Sequence, residues 1–309
     1  MKRLALLVPA LNEAHNVDSV IRGYVDVRET MKLLGVETAL LVIDDGSRDG
    51  TFVRFRQCLI EAKIPARLLR FGRNFGKDSA ILAGLEKNEA DYYVIVDADG
   101  QTPWALVPRL YESIADGGAD VVCGVKEREP YGLPRRALTG LFFFLARKLG
   151  IRELRSGASD FMLFTRAVRD RLLALQEKEV VVRNLVHWLG LREKCVPFTP
   201  GPSGRSRFSF RSLFLLAVKS ILSFSHILRI NFFIALFYWI FSFFYAGLII
   251  YNKITHRIVL GLSTTTLLTL LSFGLMFFMI AIIGEYLITI FEEVKKRPRY
   301  LIAEIVDLE

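Results

Sequence analysis

From Ile230 to Asn252 the chain carries no charged side chain, and the same holds from Ile258 to Gly284. Each stretch exceeds the roughly 20 residues that an α-helix needs to cross a bilayer core. Phe232, Phe233, Phe237, Tyr238, Trp239, Phe243, Phe244 and Tyr245 would lie on every face of the first helix, which argues for a lipid surround over a one-sided soluble core. Two transmembrane helices are therefore expected within residues 230–291. They account for an overall composition too apolar for an ordinary soluble protein: 52% hydrophobic residues, 24% charged and a mean hydropathy of +0.34 over 309 residues. Disorder, collagen and small disulfide scaffolds are excluded.

Charge orients the spans. The net charge of +9 divides into +4 for residues 1–199 and +5 for the much shorter remainder. Arg205, Arg207, Arg211, Lys219 and Arg229 precede the first span without an intervening acid, and Lys295, Lys296, Arg297 and Arg299 follow the second. Against these, Lys253 and Arg257 stand between the spans. By the positive-inside rule both termini are expected to be cytoplasmic, in a multi-pass protein of the cell inner membrane. The basic collar also suits anionic headgroups or a lipid phosphate, and its location at the membrane boundaries argues against a nucleic-acid partner despite a pI near 9.5. Residues 208–229 place Arg211, Ser212, Lys219, Ser220, Ser223 and His226 near helical spacing among apolar neighbours, the pattern of an interfacial amphipathic helix. Met1-Lys2-Arg3 and the apolar run after it resemble a signal peptide, but Pro9 breaks the run and no small-residue cleavage site follows, so a first strand is expected. Cys58, Cys123 and Cys195 lie far apart, form no metal-ligand pattern, and read as reduced thiols.

Residues 1–204 have a different grammar. Short aliphatic runs at 4–8, 39–43, 67–71, 92–96, 120–123 and 162–164 alternate with helix-period segments such as 17–34 and 51–62. Such alternation predicts an α/β domain with a mostly parallel sheet covered on both faces. Sheets of this kind bind ligands beyond the carboxyl ends of their strands, so the polar residues just after each run are the candidate site. Four domains of the chain are expected: 1–204 catalytic, 205–229 juxtamembrane, 230–291 membrane-spanning, and 292–309 a cytoplasmic tail.

Four loops stand at strand ends. Asp97-Ala98-Asp99-Gly100-Gln101 offers two carboxylates and a neutral oxygen, hard donors suited to Mg²⁺ or Mn²⁺ and to a metal-bound diphosphate. Asp44 to Thr51, with Pro9 to Glu13 from the neighbouring run, brings carboxylates suited to nucleobase or ribose groups. There Ser47 or Asp49 has the alternative duty of capping the helix that begins near Thr51. Arg73 to Asp78 brings Lys77 to the same edge.

In this order the segments PALNE (9–13), DDGSRDGT (44–51), RNFGKDSA (73–80), DADGQTP (97–103), SGASDFMLF (156–164), SILSFS (220–225) and GEYLITIFEEVKKRPRY (284–300) resemble the polyprenyl-phosphate glycosyltransferases of glycosyltransferase family 2, over nearly the whole chain. The resemblance implies a GT-A, Rossmann-like catalytic domain and inverting transfer of a sugar from a nucleotide sugar, UDP favoured over GDP, to a polyprenyl phosphate such as undecaprenyl phosphate. It implies that Pro9, Asn12, Glu13 and Asp45 hold the nucleoside, that Lys77 approaches the donor, and that Asp97, Asp99 and Gln101 bind Mg²⁺ or Mn²⁺ and the diphosphate. It places Asp160 near the acceptor phosphate as the candidate base, and Arg183, Arg205 and Arg207 as phosphate-neutralising groups. A homotetramer has precedent in the family. This chain has Ser159 where the family usually has Gly and Met162 where it usually has Arg. Two other readings share features of the sequence. A processive polysaccharide synthase would need more spans and a QxxRW motif, and a silent nucleotide-sugar-binding scaffold would be expected to lack the metal ligands.

Overall fold

The computed structural model describes residues 1–126, 158–175, 181–199 and 261–309, together with scattered positions between 237 and 255. The chain divides into two compact units. The first comprises Met1–Leu138, Glu153–Arg207 and Arg297–Glu309, and the second Thr139–Arg152 and Phe208–Lys296.

The first unit is built on an eight-stranded sheet. In chain order the strands are β1 (Lys2–Ala10), β2 (Val36–Asp44), β3 (Ala66–Phe71), β4 (Tyr92–Ile95), β5 (Val121–Lys126), β6 (Ala158–Thr165), β7 (Glu193–Phe198) and β8 (Ile302–Leu308). Across the sheet their order is β7-β5-β6-β4-β1-β2-β3-β8. Six strands run one way. Only β6 and β8 are reversed, β6 lying antiparallel to β4 and β5 and β8 antiparallel to β3.

Both faces are covered, which is why the strands read as continuous apolar runs. Alternation along β1 divides the core: Leu4, Leu6 and Val8 face one side, Ala5 and Leu7 the other. On the first side lie α1 (Val17–Leu33), α2 (Thr51–Glu61) and α4 (Val107–Ala115), which contribute Val20, Tyr24, Phe55, Leu59 and Leu110. On the second lie α3 (Lys77–Glu86), α5 (Arg166–Ala174) and α6 (Val182–Trp188), contributing Ile81, Leu85, Val168, Leu172 and Val186. The expected α/β architecture is present, and the predicted strands at 4–8, 39–43, 67–71, 92–96 and 162–164 each fall inside an observed strand, the fourth apart from its last residue.

The expected C-terminal tail contains a strand. Val306 and Leu308 pack on the first core, whereas Ile302, beyond the register shift at Arg70 and Phe71, packs on the second. The strand covers the edge of β3, where Arg67 forms a two-pronged pair with Asp307 at 2.5 and 3.2 Å. Just before it, Tyr300 stacks on Phe71 with ring centroids 5.2 Å apart and donates to Glu86 at 2.5 Å, and Arg299 donates to the Leu175 carbonyl at 2.6 Å. An open parallel-sheet edge is a pairing hazard, and β8 closes this one.

In the second unit, α7 (Gly261–Val294) is a 34-residue helix, about 51 Å long at 1.5 Å per residue. Its window Leu271–Ile288 has a mean hydropathy of 2.1 and no buried share, so by length and composition this helix suffices to cross a membrane. Of the first expected span, helical positions are described at 237, 238, 240, 241, 244, 245, 247, 248 and 251. The Tyr238 and Ser272 hydroxyls are hydrogen-bonded to one another. The expected interfacial helix at 208–229 lies outside the described residues.

Candidate active site

The candidate site occupies the sheet edge where β1, β2, β3 and β4 end. Its first half is a set of loops laced together by backbone and side-chain hydrogen bonds. Asn12, in the left-handed region at φ 55°, donates its N–H to Ser47 Oγ at 2.9 Å, and its own Oδ1 accepts from Arg48 N–H at 3.0 Å. Glu13 N–H donates to Thr51 Oγ1 at 2.9 Å and Ala14 N–H to Asp49 Oδ2 at 3.1 Å. Asp49 Oδ1 in turn accepts from the Thr51 N–H at 3.0 Å, at the start of α2. Asn12, Ser47, Asp49 and Thr51 thus shape the loops; the N-cap position of α2 is Gly50 and not Ser47 or Asp49, although Asp49 accepts the N–H of Thr51, the first residue of the helix. Pro9 is buried within β1, and the Glu13 carboxylate accepts from Asn16 Nδ2 at 2.7 Å.

Asp45 joins this pair of loops to the third. Its carboxylate is 3% exposed and accepts from the Phe75 N–H at 2.6 Å and the Gly76 N–H at 2.9 Å. Burial raises its pKa, and the two backbone donors oppose that rise. Gly46, at φ +71°, is required here: a Cβ would come within 2.5 Å of the Arg73 carbonyl carbon. Asp44, fully buried, accepts from Ser47 N–H at 3.2 Å and has Arg70 Nε at 3.8 Å from its second oxygen, Oδ2.

The second half of the site is a charge cluster. Lys77 opens α3 directly after Gly76, whose φ of +98° turns the chain into the helix. Its Nζ lies 2.5 Å from Asp97 Oδ1 and 2.7 Å from Asp160 Oδ2. Arg183 Nη1 approaches Asp160 Oδ1 at 3.4 Å. The reversed direction of β6 explains how residues so distant in sequence meet. Ile95 pairs with Met162, so continuing the antiparallel register two residues sets Asp97 opposite Asp160. Arg183 is brought in by α6, where Asp78 Oδ1 accepts the Val182 N–H at 2.8 Å and fixes the start of that helix against α3.

The cluster tunes its own members. Burial opposes the charge on Lys77, but Asp97 and Asp160 more than offset it, so its pKa lies above that of an ordinary lysine. Asp160 feels the same opposition, yet Lys77 and Arg183 hold its carboxyl below the usual range. Burial raises the pKa of Asp97, with Lys77 pulling the other way. The arrangement places one lysine between two aspartates, with an arginine on the outer one.

Asp99 is exposed in the turn after β4, and its Oδ1 accepts the Gln101 N–H at 2.9 Å. Lys126 Nζ, at the end of β5, donates to Gln101 Oε1 at 3.4 Å. Among the described residues no three His, Cys, Asp or Glu side chains converge as a ready metal cage. Two hard carboxylates and one amide oxygen would supply only part of a coordination shell, a donor set that suits a cation able to keep several waters and take diphosphate oxygens as its other ligands. The donor set fits Mg²⁺ or Mn²⁺ on those terms.

The structure thus brings together Asp97, Lys77, Asp160 and Arg183, and sets Asp99 and Gln101 in one turn with them. It gives Asn12 and Asp45 loop-organising bonds. Arg205 and Arg207 lie outside the described residues. Lys126 and Asp78 are additions to the expected set. Lys126 was hidden because the expected run ends at Cys123, three residues short of the end of β5, and Asp78 because it acts through a backbone N–H more than 100 residues away.

Comparison with known proteins identifies the family of the chain. Residues 5–174 match the model of Glycosyl transferase family 2. The chain is 31% identical over 304 residues to the bactoprenol glucosyl transferase of Shigella phage SfX, covering 97% of this chain and 98% of that protein. It is 30% identical over 304 residues to the SfII prophage-derived bactoprenol glucosyl transferase of Shigella flexneri, covering 97% of each. Among solved structures, the M. tuberculosis glucosyl-3-phosphoglycerate synthase superposes with a TM-score of 0.48 at 22% identity, over 72% of this chain and 78% of that one. The family match extends from β1 through α5 and includes Lys77, Asp97, Asp99 and Asp160: the chain belongs to glycosyltransferase family 2.

Proposed function

We propose that this protein transfers a sugar, in the first instance a hexose from a UDP-sugar, to a polyprenyl phosphate at the cytoplasmic face of a membrane, with inversion at the anomeric carbon. The observation that carries the reading is the placement of Lys77, Asp97, Asp160 and Arg183 beside the laced donor loops at one sheet edge. Such a site offers charge of both signs where a diphosphate and a second phosphate would have to lie together. Full-length similarity to proteins named bactoprenol glucosyl transferase supports the lipid acceptor, and the long apolar α7 supports a membrane setting.

The reaction is a single displacement. An oxygen of the lipid phosphate attacks the anomeric carbon, the bond from that carbon to the diphosphate oxygen breaks, and its electron pair leaves with the nucleoside diphosphate. A phosphate monoester has a second pKa near 6, so the nucleophile is already largely ionised at neutral pH. No strong base is needed. Asp160, held ionised by Lys77 and Arg183, is accordingly assigned to orienting those two cations and not to removing a proton. Arg183, with Arg205 and Arg207, is assigned to the acceptor phosphate, and Lys77 to the diphosphate. Asp97, Asp99 and Gln101 would hold Mg²⁺ or Mn²⁺, which supplies neutralisation of the charge developing on the departing diphosphate. Asp45 keeps Phe75 and Gly76 in place and so shapes the nucleoside pocket.

The test is transfer itself. Purified protein in detergent, with undecaprenyl phosphate, Mn²⁺ or Mg²⁺ and labelled UDP- and GDP-sugars, should yield a labelled lipid from one donor. Asp99→Asn should abolish it. Absence of lipid product with every donor, despite donor binding, would sink the proposed reaction.

A further inference from the structure

Two facts about the charge cluster are in tension with a simple metal site. One oxygen of Asp97, Oδ1, is 2.5 Å from the Lys77 ammonium, and that ammonium is also 2.7 Å from Asp160. An ammonium and a divalent cation repel one another, and a carboxylate oxygen in contact with the first is a poor ligand for the second. The lysine is well anchored: it opens α3 behind Gly76, and its ammonium is gripped by the two carboxylates. Asp160 has a second cation in Arg183, with Lys126 contributing further positive charge nearby, so Asp160 stays compensated when Lys77 leaves. Asp97 has no such reserve among the described ion pairs.

We propose that Lys77 is the resident cation of the Asp97 site and that it couples metal binding to donor binding. Without donor, a metal must displace the ammonium from Asp97 and gains little. When the diphosphate arrives it offers Lys77 a new anionic partner, Lys77 moves from Asp97 to the diphosphate oxygens, and Asp97 becomes free to hold the metal. Metal and donor then enter as a pair, each raising the affinity of the other by the same factor, as linkage requires. The arrangement also disfavours a metal-loaded, donor-free site. This inference rests on the reading of Asp97 and Asp99 as the metal and donor site.

The test is Mn²⁺ binding, followed by the EPR signal of free Mn²⁺, with and without UDP and against a protein-free Mn²⁺/UDP blank. For the wild-type chain, UDP should tighten Mn²⁺ binding by about 10-fold or more, within the usual span of coupling factors. Lys77→Met should tighten donor-free Mn²⁺ binding by about 10-fold and shrink the UDP-dependent gain to less than about 3-fold. Arg183→Gln removes a positive charge from Asp160 and leaves the Lys77–Asp97 pair, so it should leave the UDP-dependent gain intact. Asp160→Asn gives Lys77 to Asp97 alone; it should weaken donor-free Mn²⁺ binding, with UDP restoring it, and it provides the test should Lys77→Met not fold. The proposal is overturned if Lys77→Met binds donor-free Mn²⁺ no tighter than wild type, or if Arg183→Gln tightens it equally, which would make the effect one of net charge. It is also overturned if Asp160→Asn matches the wild type without UDP. Mn²⁺ binding to the wild type that is unaffected by UDP would refute the coupling and leave the metal site standing. Failure of every form to bind Mn²⁺ with or without UDP would refute the metal site as well.

Discussion

Replacing Gly46 by alanine tests how closely two of the donor loops must approach. At φ +71° an L-residue is strained, and its Cβ would stand 2.5, 2.8 and 2.9 Å from the carbonyl carbon, Cα and carbonyl oxygen of Arg73. All three are backbone atoms, so no side chain can swing aside. Relieving the closest contact to an ordinary 3.4 Å requires the 73–76 loop to retreat by about 0.9 Å, carrying with it Phe75 and Gly76, whose N–H groups bind Asp45. Left-handed strain of about 1–2 kcal/mol and overpacking of about 1–3 kcal/mol together give a loss of about 2–5 kcal/mol. A displacement near 1 Å in a positioning loop costs on the order of 100-fold in turnover. Gly50 is the internal control. Its φ is +83°, but a Cβ there meets nothing within 4 Å. Gly50→Ala should therefore show only the strain, about 1–2 kcal/mol, with sugar transfer within a few-fold of wild type. The assay is sugar transfer at saturating and sub-saturating donor, alongside unfolding of the detergent-solubilised protein. Equal behaviour of the two variants, or Gly46→Ala with wild-type transfer, would refute the reasoning.

Asp45→Asn keeps the shape but turns an acceptor of two backbone N–H groups into a weaker one, and should raise the KM for donor more than it lowers kcat, as read from donor titrations. Arg67→Ala removes an ion pair whose members are about half exposed, so it should cost no more than about 1 kcal/mol in unfolding. Deleting residues 301–309 should do far more, because it uncovers β3 and removes Val306 and Leu308 from the core; the truncated protein should aggregate in size-exclusion chromatography. Asp120 has its pKa lowered by its hydrogen bonds from Arg192, so the pair stabilises the fold above the ordinary carboxylate range and is lost as pH falls through the depressed value. Asp120→Asn should therefore flatten the acid limb of stability against pH in unfolding measurements.

Much of the catalytic unit was legible in the sequence because its strands are buried on both faces. The runs at 4–8, 39–43 and 92–96 have no other comfortable fate, and the polar residues after them had to gather at one edge. The charge cluster was legible only in part. Asp97 announces itself by position after a strand, but its meeting with Asp160 depends on β6 running backwards, a property of pairing that no local pattern encodes. Asn12, implied as a nucleoside contact, and Asp49, read as a cap, also make loop-to-loop bonds that stayed hidden because their partners lie 35 residues away. β8 was missed for the same reason: its seven residues follow the long apolar helix α7, and its partner β3 lies more than 200 residues earlier. Both cases are non-local pairings, where the favourable contact is invisible until the topology is known.

The most direct test of the account is the anomeric configuration of the lipid product made from undecaprenyl phosphate and the preferred donor, determined by proton NMR after extraction. A single displacement by the lipid phosphate predicts a sugar phosphodiester of configuration opposite to that of the donor. A product with retained configuration would contradict the single displacement, and release of free sugar with no lipid product would contradict the lipid phosphate as acceptor.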